Sequence, residues 1–222
     1  MNVLIIGSSS KVSVELSEIL ISEGHRCTLA GREGPDIIFD SSNLAPEAIS
    51  SLLVHDYDFY VINSGLLTAQ NFLTQPKIQL LNSVTINLLA PVYIAESILT
   101  KKAAAKVFII GSESGRKGSF DITYFLCKAA IRAYVRQRYL NEQNQQLLLF
   151  SPATIEDAGM STRRSDPERI AEYRQMHPKK RLLESREMAA VLRKFMSKDF
   201  SYISNVEIEI NGGKFARMRV PN

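Results

Sequence analysis

Short apolar stretches typical of β-strands alternate with amphipathic helical stretches along almost the whole chain, and this alternation constrains the fold more than any other feature. Strand, helix and strand in succession form a crossover unit, so repeated alternation indicates a parallel sheet with helices on both faces. The 222 residues, 45% of them hydrophobic, suffice for one domain with a full core. We predict strands at residues 2–6, 26–30, 37–39, 59–63, 107–112, 146–150 and 206–210, and helices at 12–23, 45–53, 78–99, 124–141, 167–175 and 185–196.

The excess of positive charge is concentrated in one segment rather than spread over the chain, whose net charge is +4. Acidic residues at 166, 168 and 172 are interleaved with the basic ones, and no nucleic-acid-binding motif accompanies them. A solvated helix face or the capture of an anionic substrate is therefore favoured over nucleic acid as the explanation. The basic residues are Arg163, Arg164, Arg169, Arg174, Lys179, Lys180 and Arg181.

The sequence gives little support for export, for a membrane-spanning segment or for a metal-binding site. The first predicted strand begins at residue 2, which leaves no room for a signal peptide, and no apolar run approaches the ~18 residues of a membrane span. Two cysteines are too few for a disulfide framework, and three scattered histidines form no metal-binding pattern. We therefore expect a soluble cytoplasmic protein with no membrane partner and no metal site.

Tyr124 and Lys128 are the candidate proton-transfer pair. Residues four apart share one face of a helix, and an ammonium beside a phenol would lower the phenol pKa from its usual value near ~10. Ser112 ends a predicted buried strand and would hold the oxygen of a carbonyl or alcohol substrate at the open edge of the sheet. The alternative is an ordinary helix surface that happens to carry a tyrosine and a lysine.

The first strand-turn-helix has the position of a dinucleotide-binding turn. Gly7 is followed by Ser8, Ser9 and Ser10, whose N–H and hydroxyl groups at a helix N-terminus could bind a pyrophosphate. Helix capping alone would also explain these serines. Arg32, after the second strand, can pair with a 2′-phosphate and so favours NADP(H) over NAD(H), unless it is simply an exposed turn arginine.

With these motifs in order, the chain resembles the short-chain dehydrogenase/reductase family over nearly its whole length. The Ser112, Tyr124 and Lys128 trio matches the family's catalytic trio, with one residue fewer than usual between serine and tyrosine. The other matching landmarks are Gly7 with its serine-rich turn, Asp40 at the adenine pocket, Asn63-Ser64-Gly65 after the fourth strand, Asn87 in the long helix, Pro152 to Ile155 at the nicotinamide, and the closing residues 208–213.

The resemblance implies a single Rossmann-like domain over residues 1–222, a doubly wound parallel sheet with a substrate lid around 156–184. It implies an NADP(H)-dependent oxidoreductase that acts on a small carbonyl or alcohol, with Asn87 holding a water that links Lys128 to solvent. The polar, arginine-rich lid favours a phosphate- or carboxylate-bearing substrate. The cofactor-binding residues would be Gly7, Ser8, Ser9, Ser10, Val12, Arg32, Asp40, Asn63, Ser64, Gly65, Tyr124, Lys128, Pro152 and Ile155.

The resemblance also implies a homodimer or homotetramer, in which the 78–99 helix and the Tyr124 helix pair across a twofold axis. On the Tyr124 helix, the expected stripe is Phe125, Ala129, Ala133 and Arg136.

Four departures from the family pattern concern cofactor binding. Lys11 and Ser13 occupy glycine positions of the first turn, Ala153 replaces a glycine, and Asp157 stands where a threonine usually meets the cofactor. A carboxylate near a pyrophosphate is repulsive unless it is paired. The connection between the second and third strands is also too short for its usual helix.

Two other functions fit parts of this pattern. A non-catalytic dinucleotide-binding sensor or scaffold would be consistent with the altered glycine turn, but it would not explain the intact catalytic trio. A nucleotide-sugar epimerase or dehydratase of the extended branch would carry a larger C-terminal substrate domain, which we do not expect here.

Overall fold

A computed structural model describes residues 1–34, 36–68, 72–162 and 167–216, without the side chains of residues 167 and 169. Its centre is a seven-stranded sheet in which every pairing is parallel, in the order β3-β2-β1-β4-β5-β6-β7. This confirms the predicted α/β fold and all seven strands. The strands are β1 (Asn2–Ile6), β2 (Arg26–Gly31), β3 (Ile37–Ile38), β4 (Phe59–Ile62), β5 (Lys106–Ile110), β6 (Gln146–Pro152) and β7 (Val206–Ile210).

The helices follow the predicted order, with two short additions that were not predicted, α5 and α7. Four residues make barely one turn, so neither has a periodicity that the sequence could show. The described residues between β2 and β3 form no helix, as expected. The helices are α1 (Lys11–Ser22), α2 (Pro46–Ser51), α3 (Lys77–Val84), α4 (Ala90–Lys101), α5 (Ser114–Lys117), α6 (Ile122–Gln137), α7 (Gly159–Thr162), α8 (Pro167–Met176) and α9 (Ser185–Phe195), with a π-helical turn at Thr85–Leu89 and a 3-10 turn at Lys198–Phe200.

The core lies on both faces of the sheet. On one face, Leu16 of α1 and Leu192 of α9 pack against Phe108 and Phe150. The other face is covered by α4 and α6, whose fully buried core residues include Ile98 of α4. Each large side chain buried in this way stabilises the fold by roughly 1.5–3 kcal/mol. Because both faces are covered, the strands are nearly continuous apolar runs, as the sequence indicated.

The strand order reverses at β1, which pairs with β2 on one side and β4 on the other. Ile6 is level with Ala30 of β2 and Ile62 of β4, so the carboxyl ends of these strands are aligned. In open parallel sheets, ligands bind in the crevice that opens at such a point. The residues that follow β1, β4, β5 and β6 therefore meet at one edge of the sheet.

The continuous helix Lys77–Lys101, formed by α3, the π-helical turn and α4, is long and apolar enough by length and composition alone to cross a membrane. Such a long apolar stretch was not expected from the sequence, because Asn82, Ser83 and Asn87 interrupt its apolar residues. One side of this helix packs in the core through Ile94 and Ile98, which are fully buried. Its other side carries exposed Leu81 and Tyr93.

Candidate active site

A cleft of about 800 Å³ runs along the carboxyl edge of the sheet, within the range of ~300–1,000 Å³ that is typical of ligand sites. All of the predicted site residues except Asn87 line this cleft. They are Gly7, Ser8, Ser9, Ser10, Val12, Arg32, Asp40, Asn63, Ser64, Gly65, Ser112, Tyr124, Lys128, Pro152 and Ile155.

Ser112 and Tyr124 meet at the middle of the cleft. Ser112 follows the end of β5, and its Oγ accepts a hydrogen bond from the Ser114 backbone N–H at 3.1 Å. Tyr124 lies in the first turn of α6 and is only 8% exposed. Burial raises the pKa of Tyr124, and the hydrogen bond with Ser112 opposes that rise without cancelling it.

Lys128 is buried one turn further along α6. Its Nζ donates a hydrogen bond to the carbonyl oxygen of Ile110 at 3.1 Å and lies 5.6 Å from the centre of the Tyr124 ring. Burial lowers the pKa of Lys128 to about 8. The expectation that Lys128 lowers the Tyr124 pKa is wrong for this structure, because burial of the phenol dominates. Tyr124 is therefore neutral at neutral pH and carries a proton that it can donate.

Asp121 supports Tyr124 and was not among the predicted site residues. It is the N-cap of α6, and its Oδ1 accepts the Tyr124 backbone N–H at 2.9 Å. Its Oδ2 accepts the backbone N–H and the hydroxyl of Thr68, at 2.7 and 3.0 Å. An aspartate just before an apolar helical run is a recognisable capping signal, and it could have identified this residue. Asp121 joins the start of α6 to the segment after β4.

Asn87 lies in the π-helical turn and is fully buried. Its side-chain amide donates to the Leu66 carbonyl at 2.7 Å and to Ser83 Oγ at 3.1 Å, and its Oδ1 accepts the Leu66 N–H at 2.9 Å. The side chain thus fixes the segment that follows Gly65. That Asn87 also holds a water for Lys128 stays a prediction.

The turn after β1 has the close packing that its single glycine allows. Gly7 has φ +101°, and a Cβ there would lie 2.4 Å from the carbonyl oxygen of Asn63. Ser10 is the N-cap residue of α1, but its side chain makes no capping hydrogen bond. Capping therefore does not account for Ser10, and its hydroxyl is not committed to the helix end.

Three of the four departures from the family pattern are explained by contacts in the structure. Lys11 Nζ lies 3.0 Å from Asp157 Oδ2, so the unexpected cation and the unexpected carboxylate form a pair. Asp157 Oδ1 also accepts the N–H and the hydroxyl of Ser185, each at 2.8 Å. Ser13 is buried and accepts a 2.9 Å hydrogen bond from the Asn63 side chain. Neither Lys11 nor Asp157 lines the cleft.

Hydrogen bonds and the Lys11 charge set the ionisation of Asp157. Burial works to raise the pKa of this carboxyl, but the bonds from Ser185 and Lys11 outweigh it and hold the pKa below its usual value. Asp157 is therefore ionised but compensated, so the repulsion that an unpaired carboxylate would exert on a pyrophosphate is reduced.

Arg32 and Asp40 lie together where the cleft passes β2 and β3. Asp40 Oδ1 accepts the N–H and hydroxyl of Ser42, both at 2.8 Å. The hydrogen bond from the Ser42 backbone lowers the Asp40 pKa most, and the nearby charge of Arg32 adds to the effect. This end of the cleft therefore carries one fixed anion and one cation.

Among the described residues of the expected lid, 156–184, those that line the cleft are small residues, one methionine and one tyrosine. Arg174 pairs with Glu156, and Arg181 pairs with Glu187 through two hydrogen bonds of 2.6 and 2.7 Å. Neither arginine lines the cleft. Arg163, Arg164 and the side chain of Arg169 lie outside the described residues. The lid residues that do line the cleft are Ala158, Gly159, Met160, Ser161 and Tyr173.

Solved structures of short-chain dehydrogenases share this fold. A short-chain dehydrogenase/reductase from Brucella melitensis, of the glucose/ribitol dehydrogenase type, aligns over 96% of this chain and 96% of its own. The identity is 20% and the TM-score is 0.85. A short-chain dehydrogenase family protein from Francisella tularensis aligns over 97% of this chain and 99% of its own, at 18% identity and a TM-score of 0.82. The structure of BdcA in complex with NADPH covers 95% of this chain and 93% of its own, at 18% identity and a TM-score of 0.83.

At these identities, the structural matches establish the fold, and the family assignment comes from the sequence. No curated protein matches the chain. Residues 43–214, which make up most of the chain, match the family model described as enoyl-(acyl carrier protein) reductase. This model and the landmarks along the cleft agree, and the chain belongs to the short-chain dehydrogenase/reductase family of oxidoreductases.

Proposed function

We propose that this protein is an NADP(H)-dependent oxidoreductase that moves a hydride between nicotinamide and the carbonyl carbon of a small molecule. The observation that carries the proposal is the convergence of Ser112, Tyr124 and buried Lys128 in one cleft. The protonated phenol is suited to donate to a developing alkoxide, and a neighbouring hydroxyl can hold the same oxygen. An ordinary helix surface would not bury both Tyr124 and Lys128.

The residues along the cleft fit a nicotinamide dinucleotide. Gly7 lets the turn after β1 pack closely against the Asn63 backbone, with which a side chain would collide, and the adjacent N-terminus of α1 favours a negatively charged group. Asn63 to Gly65 would contact the central part, and Pro152 to Ile155 the nicotinamide. Arg32 would pair with the 2′-phosphate while Asp40 fixes the adenosine pocket. Binding of NADPH by the structurally similar BdcA supports this choice.

The bound cofactor would supply the hydride, and the residues of this chain would manage the proton. Ser112, already hydrogen-bonded to Tyr124, would hold the substrate oxygen beside the phenol. Tyr124 would then give its hydroxyl proton to that oxygen, or take it back in the reverse direction. Lys128, with a pKa of about 8, could return a proton to the tyrosinate near neutral pH. Asn87 would hold the water that connects Lys128 to solvent.

Substitution of Tyr124 by phenylalanine tests this proposal, because it removes only the hydroxyl. We expect NADPH oxidation with a carbonyl substrate to fall by ~10²–10⁴-fold, with little change in NADPH affinity. Tyr139→Phe, which removes an exposed hydroxyl, is the matched control and should retain full turnover. Unchanged turnover in Tyr124→Phe would show that the phenol is not the acid.

Two alternatives are outcomes of the same assay. Tight NADPH binding without turnover of a broad carbonyl panel would favour the sensor or scaffold function. The family model's description makes reduction of a carbon–carbon double bond a second candidate, so a crotonyl thioester belongs in the panel. Turnover of the thioester alone would assign the chain to enoyl reduction.

We also propose that the protein is a homodimer or a homotetramer formed through α3, α4 and α6. On the expected stripe, Phe125 and Ala129 are partly buried within the subunit, and Ala133 and Arg136 are exposed. A second copy covering the apolar surface of these helices would account for the composition of helix Lys77–Lys101 in a soluble, cytoplasmic protein. The large apolar side chains exposed there are Ile78, Leu81, Leu89, Tyr93, Ile122 and Leu126.

A further inference from the structure

Glu113, which follows Ser112 directly, is an acidic residue that the proposed mechanism does not use. Its side chain is only 4% exposed although it lines the cleft. Glu113 Oε1 accepts hydrogen bonds from Lys117 and from Lys214, the latter at 3.0 Å. Glu113 Oε2 is buried and has no hydrogen-bond partner among the described residues. The carboxylate therefore draws two ammonium groups to one of its oxygens.

The two lysines come from distant parts of the chain and converge on Glu113, and of the two Lys117 alone lines the cleft. Lys117 is the last residue of α5, and Lys214 lies in the turn after β7. Because both ammonium groups bond to a single oxygen, their nitrogens lie no more than about 6 Å apart. Lys214 Nζ also lies 5.9 Å from the centre of the Tyr173 ring, which lines the cleft. Two cations and one anion leave this cluster with a net positive charge.

The other described cations near the cleft have different partners or positions. Arg32 lies beside Asp40 at the end near β2 and β3, and Lys128 is buried against the Ile110 carbonyl. Lys117 is the remaining cation among the described lining residues. It also retains 35% side-chain exposure, so its ammonium can reach a ligand while bonded to Glu113.

We propose that Lys117 and Lys214, held together by Glu113, form the subsite that binds an anionic group of the substrate. This inference rests on the proposed carbonyl reduction and names the substrate class: a small carbonyl compound that carries a carboxylate or a phosphate. The single turn of α5 spans about 6 Å, so the subsite is within small-molecule reach of Ser112. Arg174 and Arg181, two of the lid arginines expected to bind such a group, are paired with glutamates instead.

The spacing and the charge of the cluster suit an oxyanion. Each ammonium has three N–H donors, and each uses one on Glu113, so donors remain for a second acceptor. Burial lowers the pKa of Lys214, and the positive charge of Lys117 adds to this effect against the opposing influence of Glu113. A bound anion would relieve the repulsion between the two lysines.

The test compares ionised and neutral forms of the same carbonyl. 4-Oxopentanoate and its methyl ester probe a carboxylate, while dihydroxyacetone phosphate and dihydroxyacetone probe a phosphate. We expect the wild type to favour one ionised probe over its neutral partner by at least 10-fold in kcat/KM. Lys117→Met should remove 10–100-fold from that probe alone, mainly through KM. The control is Arg116→Met, since Arg116 bonds Glu209 rather than Glu113. The preference of this variant for the ionised probe should equal that of the wild type.

Equilibrium binding separates this inference from the proposed function. Calorimetry with 4-oxopentanoate or dihydroxyacetone phosphate should show binding to the wild type, with the same affinity for Arg116→Met. The affinity should fall at least 10-fold in Lys117→Met and in Lys214→Met. That result without any turnover would retain the subsite and reject carbonyl reduction. The subsite would be overturned if Lys117→Met lost the same fraction of kcat/KM with ionised and neutral probes. It would also be overturned if the wild type bound neither anion. Lys214→Met supplies the same comparison if Lys117→Met does not fold.

Discussion

Lys128 allows a direct test of whether the site is built at the expense of stability. Its ammonium is buried, and its pKa falls from the ordinary 10.5 to about 8. A difference of this size corresponds to roughly 3 kcal/mol, because each pKa unit is worth about 1.4 kcal/mol. Below pH 8, the lysine is protonated in both the folded and the unfolded protein, so the full cost of burying the charge is present.

The cost disappears as the pH rises from 8 to 10.5. In this window, the folded protein has released the proton while the unfolded chain still binds it, so stability increases with pH. We therefore expect the free energy of unfolding of the wild type to rise by roughly 2.5 kcal/mol between pH 7 and pH 10, relative to Lys128→Met. At pH 7, Lys128→Met avoids most of the free-energy cost of burying the ammonium. It leaves the Ile110 carbonyl without this hydrogen-bond donor, which costs about 1–3 kcal/mol.

The measurement is urea unfolding followed by circular dichroism at pH 7, 8, 9 and 10, at one protein concentration. Lys101→Met removes an exposed lysine from α4 and should differ from the wild type by a constant amount, within about 0.5 kcal/mol. The same Lys128→Met protein should be inactive as an oxidoreductase. A pH-independent difference between Lys128→Met and the wild type would refute the argument that burial dominates this residue.

Three further predictions concern the cofactor, the turn after β1 and the assembly. Arg32→Ala should lose about 1.5–3 kcal/mol of NADPH affinity and none of NADH affinity, measured by fluorescence titration; equal affinities in the wild type would contradict the NADP(H) assignment. Asp157→Ala should lower the melting temperature more than Lys11→Ala, because Asp157 also bonds Ser185; the reverse order would show that the ion pair is not the main contact. Leu126→Glu should convert an oligomer into a monomer by light scattering, and a monomeric wild type at micromolar concentration would exclude the proposed interface.

The strands and the cleft could be predicted from the sequence because both depend on local patterns. A buried parallel strand is a continuous apolar run, and its final residues reach the ligand-binding edge wherever the strand lies in the sheet. Ser112 and Asn63 were therefore placed correctly without knowledge of the strand order. Helix α5 was missed because a single turn has no periodicity, although it carries Lys117.

The chemistry inside the cleft depended on contacts that no local pattern shows. The spacing of Tyr124 and Lys128 put both on one face of α6, but only the packing shows that burial sets the direction of both pKa shifts. Arginines of the lid were expected to meet the substrate, yet Arg174 and Arg181 pair with glutamates. Charge composition alone cannot distinguish a paired side chain from one that faces a ligand.

The residues that depart from the family pattern near the turn after β1 are explained by the contacts that they make with distant residues. Lys11 and Asp157 are far apart in the sequence, and each taken alone argues against dinucleotide binding. Joined at 3.0 Å outside the cleft, they connect the start of α1 to the segment after β6, and the Ser185 bonds extend that connection to α9. Ser13 likewise bonds Asn63 where a glycine would only allow close approach. Polar contacts therefore hold together the elements around the turn after β1, so loss of the glycines does not by itself imply loss of cofactor binding.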